Sequence, residues 1–397
     1  MTAIPTPEWT QSADGQQLLA ALDAGEGRTR LVGGAVRDAL LGLGGNDIDL
    51  ATEFPPEEVI RRLEAAGLKA VPTGLSHGTV TAVAGPLVAE VTTLRRDVAT
   101  DGRRADVDFL SDWREDAARR DFTINAMNAR LPEGGVEDHF GGLEDLRNGR
   151  VRFIGDPMAR IAEDHLRILR FFRFSLRFGT AGLDGDALAA CRQRSNDLMA
   201  LSRERIAMEL TRMLSHPDPT PIFAVMVSEG IWAPVIPEFD AASIARLARL
   251  VEREAAAGAA PEPMRRLAAL SPDAEAIESI ARRLRLSKAQ RQRAVAARSC
   301  DPAAFPNIMV AAHFEGVETV RDCLLLAEDW DEASWTRLLS WTPKSLPVSG
   351  RHLIEKGVPA GPDVSRLLAI FERKWAEAGF PQDVDTLDSL LAEVAKL

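Results

Sequence analysis

The chain has 397 residues, 46% of them apolar, with 48 basic against 59 acidic side chains and a net charge of −11. That length fits two to four domains with well-formed cores. No apolar run approaches the ~18 residues that a membrane span needs, and the start, Met1 to Trp9, has neither the charged region nor the apolar core of a secretory signal.

An acidic balance argues against indiscriminate nucleic-acid binding, because phosphate contacts dominate that affinity. The positive charge is almost all arginine, concentrated at 95–104, 114–120, 160–177 and 282–298. Arginine forks suit phosphates and base edges better than lysine does. Cys191, Cys300 and Cys323 show no C-x-x-C spacing. Neither a zinc site nor a disulfide framework is indicated, as expected for a cytoplasmic protein.

In chain order, the first informative stretch runs from Leu31 to Thr52. Leu31-Val32 leads as a strand into Gly33-Gly34 and a short amphipathic helix through Arg37. Asp47-Ile48-Asp49 follows. On a strand, residues i and i+2 point to one side, so Asp47 and Asp49 present both carboxylates to one point. Hard divalent cations such as Mg2+ take oxygen ligands of this kind and complete their shell with substrate phosphates. Gly33 and Gly34 let the backbone approach a phosphate chain, and the helix start directs N–H groups toward it. A phosphate cradle beside paired carboxylates points to metal-assisted nucleotidyl transfer.

Strand signals are expected at Thr29–Val32, Asp47–Ala51, Thr79–Ala84 and Val88–Leu94, with a helix opened by Pro55-Pro56 and running to Gly67. Glu90 lies on the last of these strands, either solvated or as a third carboxylate serving the metals or the attacking hydroxyl. Arg96 to Leu110 is rich in charge, contains Thr100-Asp101-Gly102, and reads as a mobile surface loop. Arg119-Arg120-Asp121-Phe122-Thr123-Ile124-Asn125 comes next. Asp121 is either a helix cap or, with the arginines on a triphosphate, the acceptor for a ribose hydroxyl.

From Pro157 the pattern is helical: 157–178, 184–198, 202–214, 219–229, 241–256, then, past a linker-like 255–263, 263–270, 273–285, 287–299, 316–328 and 364–378. No fixed repeat period is present. On a helix over 157–178, Ile168, Leu169, Phe172 and Leu176 share an apolar face, and Asp164, Arg167, Arg170 and Arg173 fan over the other. Asp164 and Arg167 are neighbours at i, i+3. That face is either ion-paired and solvated or the seat of an anion that relieves repulsion among its arginines. Cytosine and adenine each offer an exocyclic amine beside a ring-nitrogen acceptor. A carboxylate with a guanidinium therefore admits both and rejects uracil and guanine.

Gly33-Gly34-Ala35-Val36-Arg37-Asp38 with Asp47-x-Asp49, then R-R-D-F-T-x-N-A from Arg119, E-D-x-x-R from Glu163 and the Ser202-to-Leu210 element together resemble the tRNA nucleotidyltransferase/poly(A) polymerase family. This is a branch of the polymerase-β-like nucleotidyltransferases, here in its bacterial CCA-adding class. The resemblance spans about residues 29 to 215 and implies an α/β head of mixed sheet and helices (1–155), a helical neck that recognises bases (156–235), and a helical body and tail that bind tRNA (236–397). It implies catalytic Asp47, Asp49 and Glu90, with the metal on Asp47 and Asp49. Nucleotide binding would fall to Gly33, Gly34, Arg37, Arg119, Arg120, Asp121, Asn125, Asp164, Arg167, Arg170 and Arg173.

The implied reaction is template-independent addition of C-C-A to tRNA from CTP and ATP with Mg2+; no protein partner is implied. A poly(A) polymerase, or an enzyme adding only CC or only A, shares these motifs. The position of Asp101–Arg104 matches the family's flexible loop, which the resemblance implies resets the site from C to A. The 202–210 element is expected to buttress the Asp164 helix. The run Arg282 to Arg298 is either a solvated helix face or a contact to tRNA phosphates.

Overall fold

The computed structural model describes residues 2–44, 48–75, 78–100, 105–109 and 112–397, with only the backbone described at 96–100 and 105–109. Asp47 and Asp101–Arg104 lie outside the described residues.

The chain forms two compact units, one of residues 1–209 with 228–235, the other of 210–227 with 236–397. In the first, strands β1 (Thr29–Val32), β2 (Ile48–Thr52), β3 (Lys69–Gly74), β4 (Thr79–Ala84), β5 (Leu87–Thr93), β8 (Asn128–Arg130) and β9 (Val136–Glu137) make a seven-stranded sheet in the order β3-β4-β5-β2-β1-β8-β9. β2 and β5 are parallel, and the other neighbouring pairs are antiparallel. This is the mixed sheet expected of the α/β head. Strands β6 (Arg95–Thr100) and β7 (Ala105–Phe109) pair only with each other. The segment Arg96–Leu110, expected as a plain surface loop, is thus largely a two-stranded ribbon.

Two facts of register orient the sheet. Ile48 and Leu50 pair with Ala89 and Val91, and all four are buried in one core with Leu18 and Leu19 of α1 (Ala13–Ala21) and Val59 and Leu63 of α3 (Pro56–Ala65). Between them Asp49 pairs with Glu90. By alternation both carboxylates lie on the face away from that core. Helix α2 (Gly34–Leu40) follows β1, and α4 (Trp113–Ala118) and α5 (Gly142–Arg147) complete the sheet-bearing region.

The helix expected at 157–178 is two helices, α6 (Pro157–Glu163) and α7 (Arg167–Phe178). Asp164 stands between them with extended backbone, φ −150° and ψ 106°, and its Oδ1 accepts from the Leu166 N–H at 3.1 Å. That local bond competes with the helical ladder. Phe122 packs against Phe153 (centroids 4.9 Å) and Phe174 (5.2 Å), and Phe153 stacks on Phe171 (5.8 Å). Such pairs contribute about 0.5–1.5 kcal/mol each beyond area burial, and they fix α7 against the segment that carries Arg119 to Asn125. α8 (Gly185–Gln193), α9 (Arg203–Leu214) and α10 (Thr220–Ser228) follow.

The second unit is built from α11 (Ala241–Ala256), α12 (Pro263–Leu270), α13 (Ala274–Arg283), α14 (Lys288–Ser299), α15 (Ile308–Glu315), α16 (Val317–Leu326), α17 (Glu332–Ser340), α18 (Gly350–Glu355), α19 (Pro362–Glu377) and α20 (Val384–Val394). Of the linker-like 255–263, residues 257–262 form the loop between α11 and α12 inside this unit, and its ends belong to those helices. Buried Glu254 accepts from both Arg265 and Arg266 at 2.8 Å, and fully buried Asp322 accepts from Arg265 and Arg293 at 2.9 Å. A separate apolar cluster from Val348 to Val394, centred on Phe371 and Trp375, closes the C-terminal helices.

Candidate functional site

A concavity of about 430 Å3 in the first unit is lined by Gly33 and Gly34, by Arg119, Arg120, Asp121 and Asn125, by Asp164, Arg167 and Arg170, and by Arg37 and Phe174. Its size suits a small ligand, whose usual range is about 300–1,000 Å3. Five arginines line it, each also paired with a carboxylate of the protein.

Gly33 ends β1 with φ +66°, and a Cβ there would lie 2.7 Å from Nη1 of Arg120. The backbone conformation requires glycine, and any side chain there would also push the end of Arg120 aside. Arg37 is 5% exposed. It donates to Asp38 Oδ1 at 2.8 Å and to Asn125 Oδ1, and its guanidinium lies 4.3 Å from the Phe178 ring centroid. Burial lowers its pKa from the ordinary arginine value, with the Asp38 charge opposing. Arginine remains charged all the same.

Asp121 is no helix cap. Its Oδ1 accepts from the Phe122 N–H (2.9 Å) and Asn125 Nδ2 (3.1 Å), and its Oδ2 from Arg170 (2.7 Å). Burial alone would push its pKa up. The Arg170 charge and these hydrogen bonds outweigh burial and hold the carboxyl below the usual range. Buried Asp116, at the end of α4, pairs with Arg119 (2.7 Å) and Arg120 (3.2 Å) and is likewise kept ionised against burial. It fans the two arginines into the concavity.

Asp164 and Arg167 both line the concavity but do not pair with each other. Arg167 bonds Glu163 (2.6 Å) and the Arg160 and Arg119 carbonyls (2.9 and 3.1 Å). Asp164 is held by Arg205 of α9, at 2.9 and 3.2 Å. The supposed repulsion along α7 is also resolved without an anion: Arg170 has Asp121, and Arg173 has buried Glu209 at 2.5 Å. Arg173 does not line the concavity; it lies over the Phe174 ring instead, at 4.3 Å. The expected buttress from the 202–210 element therefore has a concrete form, since Arg205 and Glu209 of α9 grip Asp164 and Arg173.

Sequence reasoning missed Phe174, which reads as one more apolar residue of α7, and Asp116, which looks like a solvated helix acid. Asp49 and Glu90 face each other across β2 and β5. Two carboxylates offer oxygen donors only, the set a hard divalent cation takes. Among the described residues there is no group of three or more metal-ligating side chains.

Residues 29–152 match the "Poly A polymerase head domain", and 183–243 match the "Probable RNA and SrmB- binding site of polymerase A". The chain is 33% identical over 376 residues to the mitochondrial CCA tRNA nucleotidyltransferase 1 of Mus musculus, covering 91% of this chain and 86% of that protein. It is 29% identical to a CCA-adding enzyme of Lacticaseibacillus paracasei, covering 96% of each. Among solved structures, the Bacillus stearothermophilus CCA-adding enzyme in complex with CTP superposes with a TM-score of 0.74 at 26% identity, over 96% of this chain and 98% of that one. Divalent metal is the general requirement of such enzymes. A third of positions shared along most of the mouse protein shows that this chain belongs to the CCA tRNA nucleotidyltransferase family.

Proposed function

We propose that this chain adds or repairs the 3′-terminal C-C-A of tRNA without a nucleic-acid template, joining CTP and ATP to the 3′-hydroxyl and releasing pyrophosphate. The observation that carries this reading is the arginine-lined concavity in which a held carboxylate, Asp164, accompanies a guanidinium, Arg167. Triphosphate and base edge are thereby served in one cavity. Arg37, Arg119 and Arg120 hold the phosphates, with Arg170 beside them and Arg173 bracing α7 from behind through Glu209. Asp121 accepts from a ribose hydroxyl in exchange for one of its contacts to Arg170, whose Nε and Nη2 lie 2.7 and 2.5 Å from its Oδ2. Asp164 accepts from the exocyclic amine of cytosine or adenine, and Arg167 donates to the ring nitrogen.

Mg2+ would be held by Asp49 and, in this reading, by Asp47, and when bound it polarises the α-phosphate and lowers the pKa of the primer hydroxyl. Glu90, opposite Asp49, supplies a further oxygen on that sheet face. Residues 1–155 act as the catalytic head, 156–235 as the base-reading neck, and 236–397 as the RNA-binding body and tail. We place the activity in the cytoplasm, in keeping with the three free cysteines. No helix among the described residues is long and apolar enough to cross a membrane.

The test is extension of a tRNA lacking its CCA, with CTP and ATP supplied separately and together. C-C-A ends are expected; A-tracts or a halt after CC would replace this reading with a poly(A) polymerase or a partial enzyme. Asp49→Asn removes a ligand charge at constant shape, so incorporation should be lost while the circular dichroism spectrum is kept. Near-wild-type incorporation by this variant would remove the metal site.

A further inference from the structure

The second unit carries a cationic recess lined by none of the residues discussed above as nucleotide ligands. Arg246, Arg249 and Arg253 follow one another along α11, and Arg298 comes to them from α14, around a cavity of about 70 Å3. Its floor is apolar, made by Leu250, Ala269 and Leu325. None of the four guanidinium groups lies within 4 Å of a carboxylate among the described residues. Arg246 donates instead to the Ala269 and Leu270 carbonyls (2.9 and 3.1 Å), Arg253 to the Leu325 and Glu328 carbonyls (3.0 and 2.7 Å), and Arg298 to the Pro272 carbonyl (2.5 Å). Arg249 is exposed, and its side chain makes no hydrogen bond or ion pair among the described residues. Carbonyls orient a guanidinium without cancelling its charge.

The charges act on one another. Burial, and then the neighbouring charges of Arg298 and Arg249, depress the pKa of Arg246; burial and Arg249 depress that of Arg253. Asp240 and Asp329 oppose this only partly, and the side chain of Glu328 stands at the rim.

The contrast with the neighbouring arginines is informative. Along 282–298, read from sequence as either a solvated helix face or a phosphate contact, four arginines other than Arg298 each have a carboxylate: Arg282 and Arg291 pair with Glu278, Arg283 with Glu238 and Arg293 with Asp322. Those charges are spent within the protein. A cluster that is uncompensated, pre-oriented by carbonyls and open at Arg249 is built to receive an anion.

We propose that Arg246, Arg249, Arg253 and Arg298 form a backbone-phosphate site for the RNA substrate, seating one phosphodiester of the tRNA. This rests on the tRNA-directed reading above. The site reads no sequence, because phosphate contacts position a nucleic acid without specifying it. It also shows how a chain of net charge −11 can grip a polyanion: through a local patch, with repulsion elsewhere discouraging loose binding.

The experiment compares the full chain with Arg249→Ala, Arg249→Glu and Arg282→Ala. Filter binding of a tRNA lacking CCA is measured across a salt series, alongside steady-state CCA addition. The Arg249 side chain makes no hydrogen bond or ion pair among the described residues, so its removal should leave folding unperturbed, with circular dichroism as the check. Losing one phosphate contact should raise the Kd roughly three- to tenfold near 0.1 M salt and flatten the log–log salt slope by about 0.7–0.9. Arg249→Glu should do more, and the KM for tRNA should rise while that for CTP stays put. Arg282→Ala, with the same change in net charge, should leave the slope unaltered.

Unchanged Kd and slope in both Arg249 variants, with a wild type that adds CCA, would overturn the site alone; a wild type that adds nothing to tRNA overturns the functional reading instead. A third arm titrates inorganic phosphate and follows thermal stabilisation. Stabilisation lost in Arg249→Ala without any change in tRNA affinity would assign the recess to a free anion and refute the RNA proposal.

Discussion

At the residue scale, selectivity should rest on how firmly Asp164 is held. Its carboxylate is fixed by two contacts to Arg205 and one to the Leu166 N–H. A side chain so constrained has already lost its rotational freedom before a base arrives. Asp164→Ala deletes the acceptor for the exocyclic amine. Discrimination of CTP over UTP should then weaken by about 1–3 kcal/mol, read as the ratio of kcat/KM values. Arg205→Ala leaves the acceptor but frees it, so the same ratio should fall by less. An undiminished ratio in Asp164→Ala would take base reading away from this side chain. Both residues were legible in the sequence as charges, but their partners were not. Helical spacing pairs Asp164 with Arg167, yet one side-chain bond to the Leu166 N–H breaks the helix, and the true partner arrives from α9. Likewise the carboxylates of Asp121 and Glu209 that neutralise α7 come from other elements, which no periodicity reveals.

At the element scale, the sequence was most readable where one face is buried. Thr79–Ala84 alternates buried and part-exposed residues, and its bounds follow directly from that pattern. β3 escapes the sequence reading because it is an edge strand with no buried residue, and Pro72 lies inside its irregularity between Val71 and Gly74. Edges and bulges are where strands tolerate proline. The β6–β7 ribbon escapes the sequence reading because β6 is charged and shows no alternation, and the alternation of β7, Ala105-Asp106-Val107-Asp108-Phe109, spans only five residues. Beside its own ladder, the ribbon meets α4 through Arg95, whose N–H reaches Asp116 at 3.5 Å. Asp116 also holds Arg119 and Arg120. Movement of the ribbon therefore has a direct route to two arginines of the concavity. Deleting Asp101–Arg104, the residues joining β6 to β7, should leave CC addition largely intact and suppress the terminal A. Gel analysis of the products decides: full-length CCA ends at the wild-type rate would exclude a switching role.

At the scale of the whole molecule, the two units keep their charges in different ways. In the first, buried carboxylates such as Asp116, Asp121 and Glu209 are each committed to arginines at or beside the concavity, so pairing there serves the arrangement of a site. In the second, Glu254 and Asp322 tie Arg265, Arg266 and Arg293 together in a network with no opening onto the recess, binding α11, α12, α14 and α16 into one block. Glu254 is 2% exposed and Arg266 1%. Removing one partner of such a group leaves a buried charge without compensation, which costs about 3–5 kcal/mol. Glu254→Gln keeps the shape and removes the charge, stranding Arg266 among carbonyls of 214–217 and leaving Arg265 to Asp322 alone. Stability of the second unit should fall by about that amount, with hydrogen-exchange protection lost mainly across residues 236–397 and CTP affinity retained by the first. Because α11 and α14 also carry Arg246, Arg249, Arg253 and Arg298, tRNA affinity should fall with that protection. A variant that loses protection equally at Arg119–Asn125 would mean that the network stabilises the whole chain rather than the block bearing the recess.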